Sequence, residues 1–282
     1  MKALKNFFAC VAADFYKLLH MKSLYIGLAV MAFLTLIVAL ATNAATDFIL
    51  NATGDLAPSE GLNVTEINYS SAFTVISSSP SAAGVYYLVP IIVALFIGME
   101  FSGGTMRLIA GHGVSRTEIY FSKWLTAVAV TLFYVCLSFL FGTIAAAALG
   151  GDAGFFNHYG NKIAASFGTN LMLALCMASI FTAISFFIRS KAGSVAILLV
   201  MNIVLGSILT TIIQLALGMM TSPVTPANYS YMFLNPYFNM SALANAAGIS
   251  SKELALALGG SAMWTVLFSA GGWLSFVKTD IK

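Results

Sequence analysis

The sequence predicts an all-α, polytopic membrane protein: six transmembrane helices preceded by an amphipathic interfacial elbow helix, in a single transmembrane domain over residues 1–282. Two observations carry this. First, 60% of the residues are hydrophobic and only 8% are charged, whereas a soluble domain carries about 25% charge. Too little polar surface remains to face water all round, so lipid must cover much of the chain. Second, the apolar runs are long and unbroken. Backbone polar groups in lipid need internal partners, which leaves helices or closed barrels, and barrel strands would show short alternating segments instead.

The first element, over 1–22, is the elbow. Leu4, Phe7, Phe8, Val11, Phe15, Leu18 and Leu19 recur at helical spacing, while Lys5, Asn6, Asp14 and Lys17 mostly fill the other faces. Such a helix suits the membrane interface or packing on a partner protein. The polar residues before the first long apolar run argue against a cleaved signal peptide.

A spanning helix needs about 20 apolar residues. Six candidates occur within the 24–277 bundle, at roughly 24–45, 82–99, 122–149, 164–188, 192–218 and 254–277. Basic residues orient them. Lys2, Lys5, Lys17, Lys22, Arg107, Arg116, Lys123, Arg189, Lys191, Lys278 and Lys282 fall on one side, the expected cytoplasm; Lys162 and Lys252 fall on the other. Both termini are then cytoplasmic. The outer loops are expected at about 46–81 (acidic and rich in Ser, Thr and Asn), about 150–163, and about 219–253. The last holds an apolar stretch, Tyr237 to Ala247, too short to span and suited to a short external or re-entrant helix.

No charged residue or histidine lies deep in a span so drawn, which argues against an ion pump or proton-coupled carrier. Asn170, Asn202 and Gln214 are the main amides in the spans, either lining a pathway or bonding between helices. Cys10, Cys136 and Cys176 show no metal or disulfide spacing, and the basic residues form no patch for nucleic acid. There is no HExxH or GxSxG motif and no GxxxxGK[ST] phosphate loop. Enzyme chemistry within the chain is therefore not expected, and no cofactor is expected in it.

The stretch from Glu100 to Lys123, EFSGGTMRLIAGHGVSRTEIYFSK, differs from the rest. Gly103 and Gly104 break the preceding helix, Thr105 caps a short helix over Met106 to Ala110, and Gly111 and Gly113 end it. Ser115 with Glu118 forms a capping box for the next helix. A short surface helix, suited to docking, and an ordinary interfacial loop both fit this pattern.

These residues resemble the permease subunits of the ABC-2 type family of ABC transporters: Glu100 leaving span two, then Gly104-Thr105, Arg107-Leu108, Ser115-Arg116, and Tyr120 and Lys123 opening span three. Phe15, Lys17 and Leu18, followed by Lys22 and a span, are similar to that family too. His112-Gly113-Val114 departs from it, since the family often has a proline there. The resemblance implies that the loop at about 100–120 carries a coupling helix. Its contact with a separate ATPase would involve Glu100, Thr105, Met106, Arg107, Leu108, His112 and Arg116. Glu100 and Arg116 would hold the loop on its helices. It further implies two ABC ATPase subunits carrying ATP and Mg, a second permease copy or a paralogue, a bacterial inner membrane, and export of an amphipathic or hydrophobic cargo (a peptide, antibiotic or lipid). An ion-coupled secondary transporter and a non-transporting immunity or assembly subunit are the alternatives.

Overall fold

A computed structural model describes residues 2–54, 64–148, 153–209, 211–212, 215, 232–242 and 251–278. Among these the chain is helical, with no strand. α1 (Lys2–Leu19) leads into α2 (Lys22–Gly54); α3 (Val64–Ala82) and α4 (Val85–Ser102) follow. The short α5 (Thr105–Gly111) precedes the long α6 (Arg116–Ala148) and α7 (Ala153–Ile188). α8 (Lys191–Ile203) runs on as a π-helix over Val204–Leu209; α9 (Pro236–Ala242) and α10 (Ser251–Lys278) complete the set.

Five stretches are long and apolar enough to cross a membrane: Lys22–Phe48, Glu66–Ser102, Arg116–Ala147, Gly154–Ile188 and Ser251–Lys278. They match five of the expected spans, with shifted bounds. The fifth expected span, 192–218, begins as α8, which is shorter, and continues as the π-helix over Val204–Leu209; most of 210–218, Gln214 included, lies outside the described residues. α7 is the central helix, packed against α10, α6 and α4, whereas α2 and α10 leave much of their apolar stretches uncovered.

The expected loop at 46–81 is the largest departure. Residues 46–54 continue α2, and 64–82 form α3, whose Phe73 and Ile76 are core residues. Polarity misleads here because the hydroxyls are satisfied by the helix itself. Ser71, Thr74, Ser77 and Ser79 donate to the carbonyls of Ile67, Ser70, Thr74 and Ile76. Such back-bonding lets Ser and Thr enter an apolar bundle at little cost. Thr46 and Ser71 also bond each other at 2.8 Å, joining α2 to α3. Gly84, at φ 70°, breaks α3 from α4, a left-handed conformation that glycine adopts freely. The expected loop at 150–163 is likewise helical from Ala153, as the first turns of α7.

Tight packing fixes one end of the bundle. α4, α7 and α10 end there and α6 and α8 begin there. A Cβ on Gly98 of α4 would lie 2.6 Å from the Lys191 Cα of α8, so only glycine permits that approach. Arg189, at φ 53°, turns the chain between α7 and α8, and the Ser190 side chain accepts from the Gly193 N–H to cap α8. Arg116, opening α6, donates to the Val277 carbonyl near the end of α10 at 3.0 Å.

The described part of the apolar stretch after 236 is α9, and it is buried: Tyr237, Phe238, Asn239 and Met240 are all core residues. Ser81 donates to the Met240 carbonyl. The Trp264 indole donates to the Leu234 carbonyl at 3.0 Å, which places this segment about 20 Å along α10 from its start, at 1.5 Å per residue. Among the span amides, Asn170 accepts from the Tyr86 hydroxyl at 3.0 Å, a bond between α7 and α4. Asn202 is fully buried in α8, and its amide atoms have no hydrogen-bond partner among the described residues.

Candidate functional site

The segment from Glu100 to Lys123 folds as helix, break, short helix, break, helix. α4 stops at Ser102, and Gly103 returns its N–H to the Met99 carbonyl at 2.9 Å. Gly104, at φ 69°, turns the chain into α5. The expected Thr105 cap is not made, since Gly104 occupies the N-cap position without a side-chain bond. Thr105 is the first residue of α5 and donates instead to the Glu100 carbonyl at 3.1 Å, filling an acceptor that the end of α4 leaves open. At the far end, Gly113 takes φ 81°. The capping box forms in both directions: the Glu118 N–H donates to the Ser115 hydroxyl at 3.2 Å, and the Ser115 N–H donates to the Glu118 carboxylate at 2.9 Å. Each such cap stabilises by about 1 kcal/mol.

α5 divides its residues into an anchor and a face. Met106 is 1% exposed and joins the main hydrophobic core. Arg107, Leu108 and His112 are exposed, Leu108 at 61%. A large apolar side chain beside a cation, held out on a capped turn, suits docking by a partner. The His112 ring is used locally, with Nδ1 2.6 Å from the Leu108 carbonyl.

Beneath α5 lies an ion cluster built from three helices. Lys123 of α6 pairs with Asp14 of α1 and with Glu100 of α4. Glu100 also accepts from Lys17 of α1 at 3.0 Å. Lys123 lies 4.9 Å from the Phe96 ring centroid as well, a cation–π contact. Asp14 is 2% exposed, Glu100 5% and Lys123 1%. Two carboxylates and two ammoniums balance in charge, as burial requires. Burial pushes the Asp14 carboxyl above its ordinary value, and Glu100 adds to that; the Lys123 charge and hydrogen bond pull the other way. One Asp14 oxygen has no hydrogen-bond partner among the described residues.

The structure corrects two sequence-level expectations here. Asp14 does not lie on an outer polar face of α1: it is buried, while Phe8 and Leu19 are exposed at 58% and 52%. Glu100 and Lys123, expected at the boundaries of spans two and three, are instead buried charges inside α4 and α6. Of the seven residues expected at the site, Thr105, Met106, Arg107 and Leu108 sit together on α5, with His112 as its C-cap. Glu100 lies beneath them in the cluster. Arg116 is turned toward the end of α10. Asp14, Lys17 and Lys123 were missed as a group; a carboxylate and an ammonium three residues apart on the elbow helix were the available signal.

The model of the ABC-2 family transporter proteins matches residues 10–281. The chain belongs to this family. No curated protein matches the sequence significantly. As an ABC-2 transporter protein it is a multi-pass membrane component of a transport system, and its family is not itself an ATPase. The match begins within α1 and runs through the cluster and α5.

Proposed function

We propose that the chain is the permease subunit of an ATP-driven exporter, with α5 as the coupling helix that docks on a separate ABC ATPase. The observation that supports this most is the division of α5: Met106 fixed in the core, Arg107 and Leu108 held outward, and Thr105 bonded back to the carbonyl of Glu100, whose carboxylate belongs to the buried ion cluster of α1, α4 and α6. A force on α5 would then move three helices together.

In this reading two ATPase subunits bring ATP and Mg, and a second permease copy or paralogue completes the pathway. The chain crosses a bacterial inner membrane six times with both termini cytoplasmic. α1 lies in the interface as the elbow, since its exposed face carries Phe8, Tyr16 and Leu19. Nucleotide binding shifts the balance between inward-open and outward-open states by its differential affinity for them. A cargo with large apolar parts suits the weakly polar interior.

A second reading draws support from the buried carboxylate of Asp14: ion-coupled transport, in which Asp14 takes up and releases the coupling proton. The two readings separate in one experiment. Tagged chain is purified in mild detergent from its own membrane, and co-purifying proteins are identified by mass spectrometry. The ATPase reading expects a soluble polypeptide carrying a phosphate loop in near-stoichiometric amount. Its absence, together with transport driven by an ion gradient alone, would favour the second.

A further inference from the structure

A cavity of about 420 Å³ lies among α7, the α8–π-helix junction, the 232–237 segment and α10. Its lining includes Ile180, Met201, Leu205, Leu234, Trp264 and Phe268, together with Met263, Pro236 and Tyr237. The only amide in the lining is Asn235, whose Oδ1 already accepts from the Tyr237 N–H at 3.0 Å. The Tyr237 hydroxyl is buried and has no hydrogen-bond partner among the described residues. No charged side chain lines the cavity. Its lining is therefore mostly apolar, with Asn235 and Tyr237 as its main polar residues, and suits a hydrocarbon chain better than a charged head.

Its walls are firmly set. Trp264 holds the Leu234 carbonyl, and a Cβ on Gly260 would lie 2.7 Å from the Leu234 backbone. The wall contributed by Leu205 is a π-helix, a rare form that is frequent at functional sites. Cavities with such a lining take up apolar ligands.

The mouth indicates the source of the ligand. Met263 and Leu234 are 47% and 38% exposed there, and Val204 and Ile208 are exposed on the neighbouring helix. These surfaces are apolar throughout, as for a face toward lipid. From the mouth, one stripe of α10 runs through Met263, Leu267 and Leu274 to Lys278, all exposed and spaced four, seven and four residues apart, which keeps them on one helix face. Met263 and Lys278 stand about 22 Å apart along the helix. That equals half the thickness of a bilayer with its headgroups, about 20–22 Å.

We propose that this cavity holds the end of one acyl chain of an anionic phospholipid, whose chain lies along the Met263–Leu274 stripe and whose phosphate meets Lys278. Lys278 selects the headgroup by charge, and the mostly apolar cavity receives the hydrocarbon end. The lipid clamps α9 and the π-helical turn between α8 and α10, so bilayer composition acts on the mobility of this part of the bundle. The proposal rests on membrane residence and not on how transport is powered.

The test uses the full chain in vesicles of phosphatidylcholine and phosphatidylglycerol. A phosphatidylglycerol with a diazirine near the end of one acyl chain is photolysed, and adducts are mapped by mass spectrometry. Adducts are expected on the peptides holding Met263–Phe268 and Met201–Leu205. Met263→Trp, which plugs the mouth, is expected to lower them about tenfold, equivalent to about 1.4 kcal/mol. Phe33→Trp, on the exposed face of α2, is expected to leave them unchanged. Lys278→Gln is expected to keep the adducts but remove the preference over a phosphatidylcholine probe. Labelling at Met263 no greater than on α2, or unmoved by Met263→Trp, would overturn the proposal. So would crosslinks from this face to a second copy of the chain in place of lipid.

Discussion

Replacing Lys123 with Met is expected to lower the thermal midpoint of the detergent-purified chain more than any other single change at the site. Lys123 stands between Asp14 and Glu100, and all three are buried. Removing the cation leaves two buried carboxylates with only the half-exposed Lys17 to offset them. Breaking a buried pair in this way costs about 3–5 kcal/mol. The neutral combination Lys123→Met, Asp14→Asn and Glu100→Gln should recover most of the loss, because no charge then needs a partner. Asp14→Asn alone should be mild, since burial already disfavours that carboxylate. Its folded pKa lies above the ordinary 3.8, so the folded chain binds more protons than the unfolded one across that interval. Stability should therefore fall as pH rises from 3.8 through Asp14's raised folded pKa. Asp14→Asn should flatten that slope; an unchanged slope would assign the titration to another group. Midpoints measured against pH for these four proteins check each statement.

The second large effect is expected at the tip of α5. Leu108→Asp combined with Arg107→Glu reverses the sign of the exposed face and removes its apolar contact, while the Met106 anchor stays in place. Docking residues of this kind carry about 2 kcal/mol or more each. The double variant should lose the co-purifying ATPase almost entirely and insert normally, with a midpoint within about 0.5 kcal/mol of the parent, as is usual for surface changes. Met106→Asp should behave in the opposite order, with loss of folding preceding loss of partner. The two variants thus separate the face of α5 from its anchor.

The sequence made some of this legible and hid the rest, for physical reasons. The course of the chain from Ser102 to Arg116 was readable because its determinants are local: glycine at positive φ at 104 and 113, and the Ser115–Glu118 box. Thr105 was misread because a hydroxyl at a helix start has two possible uses, and here it serves the preceding helix. The 64–82 helix was hidden because Ser and Thr look like loop residues until their hydroxyls turn back on the helix. The ion cluster was hidden because it joins residues more than eighty positions apart, as in the Lys17–Glu100 bond. Charge at the ends of apolar runs reads equally as a boundary marker, and only packing shows that Lys123 is inside. The five long spans were readable from length and hydropathy alone. The depth of α9 was not, because Gly260 and Trp264 set it from a different helix.

The central claim is that α5 touches the ATPase. The most direct test places a photoreactive benzoylphenylalanine at position 108, in the otherwise intact chain within its native membrane. Illumination should yield a covalent adduct between the permease and a polypeptide that carries a phosphate loop. The same group at position 33, exposed on α2, should give none. Adducts at 108 with lipid alone, or with a protein that has no nucleotide site, would contradict the account.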